Sequence, residues 1–394
     1  MDNLIIERII QRQIKTNERV LKEIGKIIRE IGELTPSEAY IVLQQVKYGD
    51  TLQRIVKILA KNSQLTEVEI YKMLEHEAKT NLALKEALFK ANKLDYIPYK
   101  NNVPLQNLVK SVALTTMQTY RNISTTTGLT FLDKNKNVLT RPIREAYWQL
   151  IDDAIMNVST GKQTFQDAML DQLQTIGEAG IQSIEYATGT HRRIDSALRM
   201  NLQDGLNQLA IAQQELVGQQ FNADGWEISV HENPAEDHEE VQGHMFTNEE
   251  YEKLQTFGEA KDVNGKLISM LNKYGSFRPI GELNCYHFAF SVVVGVSKPR
   301  YTEQELEQIK KTNKKGFNFE GKHYTNYEGT QLQRRLELEL RKSKETTLLA
   351  KESNNQELIE KSQAKQRILV RKYRDLSKAS GLPTRLDRVK TLLK

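Results

Sequence analysis

Four of the seven histidines of this 394-residue chain, His231, His238, His244 and His287, share one stretch with its only cysteine, Cys285. Imidazole nitrogen and thiolate sulfur are the usual ligands of zinc and related transition metals. A set of His231, His238, Cys285 and His287 could therefore staple a small module around an ion. The spacing is not that of a standard zinc site, because the sequence has no CxxC and no HxxxH. The same residues also suit a metal-free lock, in which buried imidazoles hydrogen-bond to amide and carbonyl groups. The expectation carried forward is that lock, with no metal and no cofactor; zinc is the alternative. A third chemistry, metal-assisted hydrolysis, could draw on His231, Glu236, Asp237, His238 and Glu239. The run Glu236 to Glu240 reads more simply as a solvated acidic turn. The sequence has no HExxH and no Gly-x-Ser-x-Gly. Gly161-Lys162-Gln163-Thr164 has only the ending of a phosphate-binding loop. No catalytic residue is expected.

A second chemistry lies in the charge. The chain is net +5, yet from Gln308 to Lys394 it holds 22 Lys and Arg against 10 Asp and Glu. The residues before this stretch are therefore net acidic. A basic tail on an acidic body points to an anionic partner, either nucleic acid or an acidic protein surface. Lys310, Lys311, Lys314, Lys315, Arg334, Arg335, Arg341, Lys342, Arg371, Lys372 and Arg374 are the candidates for phosphate contact without base readout. Tyr324, Tyr327 and Tyr373 are too few for a base-stacking platform.

The elements that must position these groups are mostly helical. Leu4, Ile5, Ile9, Ile14, Leu21, Ile24, Ile28 and Ile31 lay an apolar stripe along a helix over 1–34. That stripe must pack on its own chain, on a partner or on a second copy. Thr35-Pro36-Ser37-Glu38 and Thr66-Glu67-Val68-Glu69 both carry helix-start chemistry. Pro104 opens a helix that runs to about Thr125, and Thr125-Thr126-Thr127-Gly128 reads as a turn. Phe131 to Leu139 suggests a hairpin, and Ile143–Val158, Phe165–Tyr186 and Asp195–Gly218 read as helices. The period changes to two at Trp226–His231 and again at Phe288–Val294, which predicts two strands. Helical periodicity returns after Thr302 in Gln331–Lys344 and Gln356–Ser377, closed by Ser380-Gly381-Leu382-Pro383, with a short last helix over Arg385–Leu393. With one cysteine, no disulfide forms within the chain, which suits a reducing cytoplasm. The N-terminus lacks the apolar core of a signal peptide. The longest apolar run, Phe288 to Val296, is too short to span a bilayer.

Residues 226–246, WEISVHENPAEDHEEVQGHMF, resemble the signature of the phage minor capsid protein family of the second type, itself similar to Mu-F-like head morphogenesis proteins. The matching positions are Trp226, His231, His238, Gln242 and Gly243. The downstream Asn284-Cys285-Tyr286-His287 fits the family's second segment. Arg192 to Arg199, Tyr324 to Arg334, Tyr373 to Lys378 and Gly381-Leu382 resemble the family's flanking helices. The turn between the histidines departs from the family, which often has Gly-Ala-Arg where this chain has Asn233-Pro234-Ala235-Glu236-Asp237.

The sequence therefore predicts a mainly α protein with a small α+β module, an elongated helical N-terminal region and a basic helical C-terminal tail. The expected regions are 1–95, a helical array; 96–219, a helical middle; 220–298, the His/Cys module; and 299–394, the basic helices. The resemblance implies a structural, non-enzymatic role in a tailed-phage head, near the portal during procapsid assembly, DNA packaging or ejection. It implies the portal, scaffold or major capsid protein as partners, with packaged DNA as a further one and self-association open. It places the protein in the virion, and in the host cytoplasm during assembly. No membrane partner is expected. The competing readings are a metal-dependent phage hydrolase and a non-specific nucleic-acid-binding protein.

Overall fold

The computed structural model describes residues 3–32, 47–91, 93–133, 135–147, 149–150, 165–184, 191–231, 233–272, 274–282, 285 and 287–389. The helix-start segment at 35–38, residue 148 and the second half (151–158) of the helix expected at 143–158, and the last residues of the one expected at 385–393 lie outside them. The elements are α1 (Asn3–Gly32), α2 (Lys47–Leu84), α3 (Glu86–Ala91), α4 (Val103–Thr125), β1 (Thr127–Leu132), β2 (Val138–Pro142), α5 (Phe165–Ala179), β3 (Ile181–Ile184), β4 (His191–Arg193), α6 (Ile194–Gln220), β5 (Gly225–Ile228), β6 (Met245–Thr247), α7 (Asn248–Phe257), β7 (Glu259–Lys261), β8 (Leu267–Ser269), β9 (Ala289–Val292), α8 (Glu303–Lys315), β10 (Phe317–Phe319), β11 (Lys322–Tyr324), α9 (Asn326–Glu352) and α10 (Gln356–Ser380). The mainly helical class with a small β module is as the sequence predicted. The chain divides into two compact units. One comprises Met1–Ile6, Val68–Thr119 and Arg199–Gln331; the other comprises Glu7–Glu67, Tyr120–Leu198 and Leu332–Lys394.

The second unit buries the stripe of α1 within its own chain. Val20, Leu21, Ile24 and Ile28 join Ile55 of α2, Leu129 and Phe131 of β1, Ile176 of α5 and Leu349 and Ala350 of α9 in one core. Burial of this apolar surface is the main force holding α1 in place. A buried amide ladder then fixes its register. Asn62 Nδ2 donates to Gln13 Oε1 at 2.7 Å, Gln13 Nε2 donates to Asn17 Oδ1 at 2.9 Å, and Arg12 Nε donates to Asn62 Oδ1 at 3.2 Å. A slip of one residue would leave these amides unpaired in an apolar setting.

Three expectations in this unit are corrected. Thr66 does not start a helix, because α2 runs through it. With no glycine or proline between Lys57 and Glu69, Thr66 bonds back to Asn62 O at 2.9 Å and accepts from Arg12 Nη2 at 2.8 Å. The helix expected over Phe165–Tyr186 stops at Ala179. Gly180 adopts a left-handed φ of 66°, and Ile181–Ile184 form a strand instead. Thr127 and Gly128 are not a turn but the first residues of β1. The expected hairpin is there, with Leu132 opposite Val138. It belongs to a four-stranded antiparallel sheet, in the order β2-β1-β3-β4, that periodicity did not reveal.

The first unit holds the predicted module. Its sheet has the order β6-β5-β9, and both pairings are antiparallel. One face packs on α7 and the β7–β8 hairpin through Ile228, Val241, Phe246, Leu254, Ile268, Met270 and Ile280. Trp226 lies on that core, stacked on Tyr251 with ring centroids 5.2 Å apart. Local chemistry sets the helices. Thr247 caps α7, Gly258 ends it at a φ of 77°, and Thr302 with Glu305 forms a capping box on α8. The return to helix after Thr302 is interrupted by the β10–β11 hairpin. Its two-residue turn, Glu320-Gly321, has positive φ at both positions, as a type I′ turn requires.

Candidate functional site

The site forms because β5 and β9 pair antiparallel. The register sets Ile228 opposite Ala289, so the residues after β5 meet those before β9. Ser229 N donates to Phe288 O at 2.9 Å, and Phe288 N donates to Ser229 Oγ at 3.1 Å, extending the contact by one step. His231 then leaves the end of β5, and Cys285 and His287 arrive just ahead of β9. A single 3-10 turn over Glu236–His238 delivers His238 from the intervening loop. His238, Cys285 and His287 are at most 4% exposed.

The ligand atoms of these three residues converge. His238 Nδ1 is 3.2 Å from His287 Nδ1, and Cys285 Sγ is 3.4 Å from the former and 3.6 Å from the latter. The far side of each ring is fixed. His238 Nε2 donates to Arg278 O at 2.8 Å, and His287 Nε2 donates to Gln242 Oε1 at 3.0 Å. Gln242 Oε1 also accepts from the backbone N–H of His231 at 2.6 Å, which fixes the amide orientation. Both histidines therefore carry their proton on Nε2 and turn an Nδ1 lone pair inward. The backbone N–H of His287 donates to Cys285 Sγ at 3.2 Å. Asn207 of α6 donates to Cys285 O at 2.5 Å and anchors the loop. Burial pushes both histidines below their ordinary pKa, His287 well below, and pushes the Cys285 thiol up.

The remaining predicted residues take distinct places. The His231 ring packs edge-on against His287, with centroids 4.4 Å apart, and borders a cavity of about 710 Å³. Gly243 has a φ of 72°, and a Cβ there would lie 2.8 Å from the side chain of Leu306. Asn284 lies outside the described residues. The acidic turn is not simply solvated. Arg278 holds Asp237 through two bonds of 2.7 Å, Asn313 and Lys314 reach Glu239, and Lys310 binds Glu240 at 2.7 Å. Asp237, Glu239 and Glu240 are thus engaged by cations and an amide, while Glu236 is exposed. The sequence reading missed Arg278, Asn207 and the pair of His244 Nδ1 with Asp262 Oδ2 at 3.0 Å. Asn207 lies on a helix well ahead of the motif, and Arg278, seven residues before Cys285, carries no motif signal of its own.

The basic candidates separate by partner. Lys310 is taken by Glu240, Arg341 by Asp195 and Lys342 by Glu339 at 2.8 Å. Arg341 belongs to a buried network in which Arg193 Nη2 also meets Glu345 at 2.6 Å. Lys311 and Lys314 lie near Glu307 and Glu239, while Lys315 and Arg335 are exposed and Arg334 and Lys372 half-buried. On α10, Arg371 and Arg374 share a shallow groove with Arg367.

These features define a mainly helical protein in which the small β6-β5-β9 module is closed by a buried His/Cys cluster. The family model of phage minor capsid protein 2 matches residues 4–378, and the chain belongs to that family. It is a structural component of a phage head. No curated protein and no solved structure matches it. Among the described residues no helix is long and apolar enough to cross a membrane.

Proposed function

We propose that this minor capsid protein acts beside the portal during procapsid assembly, in contact with the portal, scaffold or major capsid protein. The observation that supports this reading is the family match across nearly the whole chain. The buried amide ladder and the burial of the α1 stripe suit a structural part that docks on other virion proteins. The test is a phage carrying a deletion of the gene, complemented by wild type or by a chain lacking residues 1–34. The wild-type chain restores DNA-filled heads and co-purifies with portal-containing procapsids. The truncated chain, having lost the helix that fills one core, does neither. Normal heads without the protein, or procapsids that incorporate it equally well when the portal is absent, would refute the portal role.

A second reading, contact with packaged DNA, is favoured by the groove of Arg367, Arg371 and Arg374 on α10. Arginines at i, i+4 and i+7 face one way on a helix and can track a phosphate backbone.

A further inference from the structure

We propose that His238 and His287, through Nδ1, and Cys285, through Sγ, bind one zinc ion that staples the β5–β9 module. The inference does not depend on where in the head the protein sits.

The first argument is a proton count. Arg278 O and Gln242 Oε1 can only accept, so both rings must spend their single proton on Nε2. Two Nδ1 lone pairs then face each other at 3.2 Å with no hydrogen between them. The Cys285 thiol offers one proton and can serve one of them. A metal-free lock therefore leaves a buried acceptor unserved. A zinc ion satisfies all three groups at once: it accepts both lone pairs and bonds the thiolate, and the thiol proton leaves to solvent.

The second argument is geometric. Around a tetrahedral zinc, with Zn–N near 2.0–2.1 Å and Zn–S near 2.3 Å, nitrogens lie about 3.3 Å apart and a nitrogen and a sulfur about 3.5 Å apart. The sides of the triangle are 3.2, 3.4 and 3.6 Å. The triangle already has the edges of a coordination tetrahedron.

The third argument is what lies behind the ligands. Zinc-binding histidines hand their other N–H to a carbonyl or carboxylate, which fixes the ring and raises its basicity. Arg278 O and Gln242 Oε1 occupy those positions, and Gln242 is itself held by the His231 amide. The His287 N–H to Cys285 Sγ bond supports a thiolate in the same way. Among the described residues, these three are the metal-binding side chains whose ligand atoms lie within 4.8 Å of one another. The ion joins the turn at His238 to the segment entering β9, and so closes a module whose apolar core is small.

The experiment uses the full-length chain purified without chelator. Elemental analysis is expected to give about one zinc per chain. Replacement by cobalt(II) is expected to give a near-ultraviolet thiolate-to-cobalt band. Chelator should lower the melting temperature, and added zinc should restore it. Cys285→Ser separates the two fillings of the triangle. Serine still donates a hydrogen bond, so a metal-free lock would survive it, whereas the zinc site loses its thiolate, its cobalt band and most of its affinity. Gln242→Leu keeps all three ligands and should weaken zinc about 10- to 100-fold. A wild-type chain that is metal-free, melts the same with and without chelator, and gives no cobalt–thiolate band overturns the proposal. So does copper bound in place of zinc. If Cys285→Ser fails to fold, the wild-type cobalt spectrum and the Gln242→Leu titration decide alone.

Discussion

Lys85 shows how one half-buried charge leaves a measurable mark. Its ammonium borders the cavity that His231 also lines. Burial, and then the nearby Arg300, push its pKa down to about 8. Gln214 Oε1 accepts from Nζ at 3.0 Å, and Glu77 is the acidic group on the same wall. Between pH 8 and the ordinary lysine value near 10.4 the unfolded chain holds a proton that the folded chain has released. Stability should therefore rise with pH across that window, by at most about 3 kcal/mol. Lys85→Met should melt higher than wild type at pH 7 and show a flatter rise above pH 8. Equal pH profiles for the two chains would show that the ammonium is well solvated. At this scale the sequence was informative wherever a residue type is rare. Seven histidines and one cysteine made the cluster visible, and the antiparallel pairing of the two predicted strands supplied the convergence. Its supports, Arg278 and Asn207, are common residue types, and only the fold brings them to the site.

At the scale of elements, two glycines let helices touch. A Cβ on Gly177 of α5 would lie 2.5 Å from Thr346 Oγ1 and 2.6 Å from the Thr346 Cα on α9, and one on Gly25 of α1 would lie 2.8 Å from the Glu352 Cβ. Two effects compete in Gly177→Ala. Alanine favours the helix by about 1 kcal/mol. Overpacking against a backbone atom costs about 1–3 kcal/mol, because a Cα cannot swing aside as a side-chain tip can. The clash should win, and the denaturation midpoint should fall with an unchanged slope. A higher midpoint would mean that α5 and α9 stand further apart than the structure has them. Long periodic helices such as α1, α4, α9 and α10 were legible because their apolar spacing repeats over many turns. The four-stranded sheet was not. Its strands β3 and β4 have four and three residues, too few for alternation to stand out, and both abut helices whose pattern runs into them. The β10–β11 hairpin was hidden similarly, although Glu320-Gly321 carried its turn signal.

For the molecule as a whole, the net charge of the basic region matters less than which of its cations are already neutralised. Lys310 and Lys342 have carboxylates within 2.8 Å, so a phosphate would have to displace a partner. Among the described residues Arg371 has only Asp375 at 3.9 Å, on a side chain 88% exposed. With Arg367 and Arg374 it forms the basic ridge of α10. If DNA contact runs through this ridge, it should be insensitive to sequence and steep in salt. Each phosphate neutralised adds about −0.9 to the slope of log affinity against log salt. Replacing all three arginines by glutamine should therefore make the slope shallower by about 2.7, while Lys310→Gln with Lys342→Gln should leave it nearly unchanged. Fluorescence anisotropy on two unrelated duplexes of equal length, measured from low to moderate salt, reads both quantities. Equal slopes for wild type and the triple variant would remove the ridge from DNA contact. A loss of slope in the Lys310/Lys342 variant would move the contact to cations that this structure shows already paired.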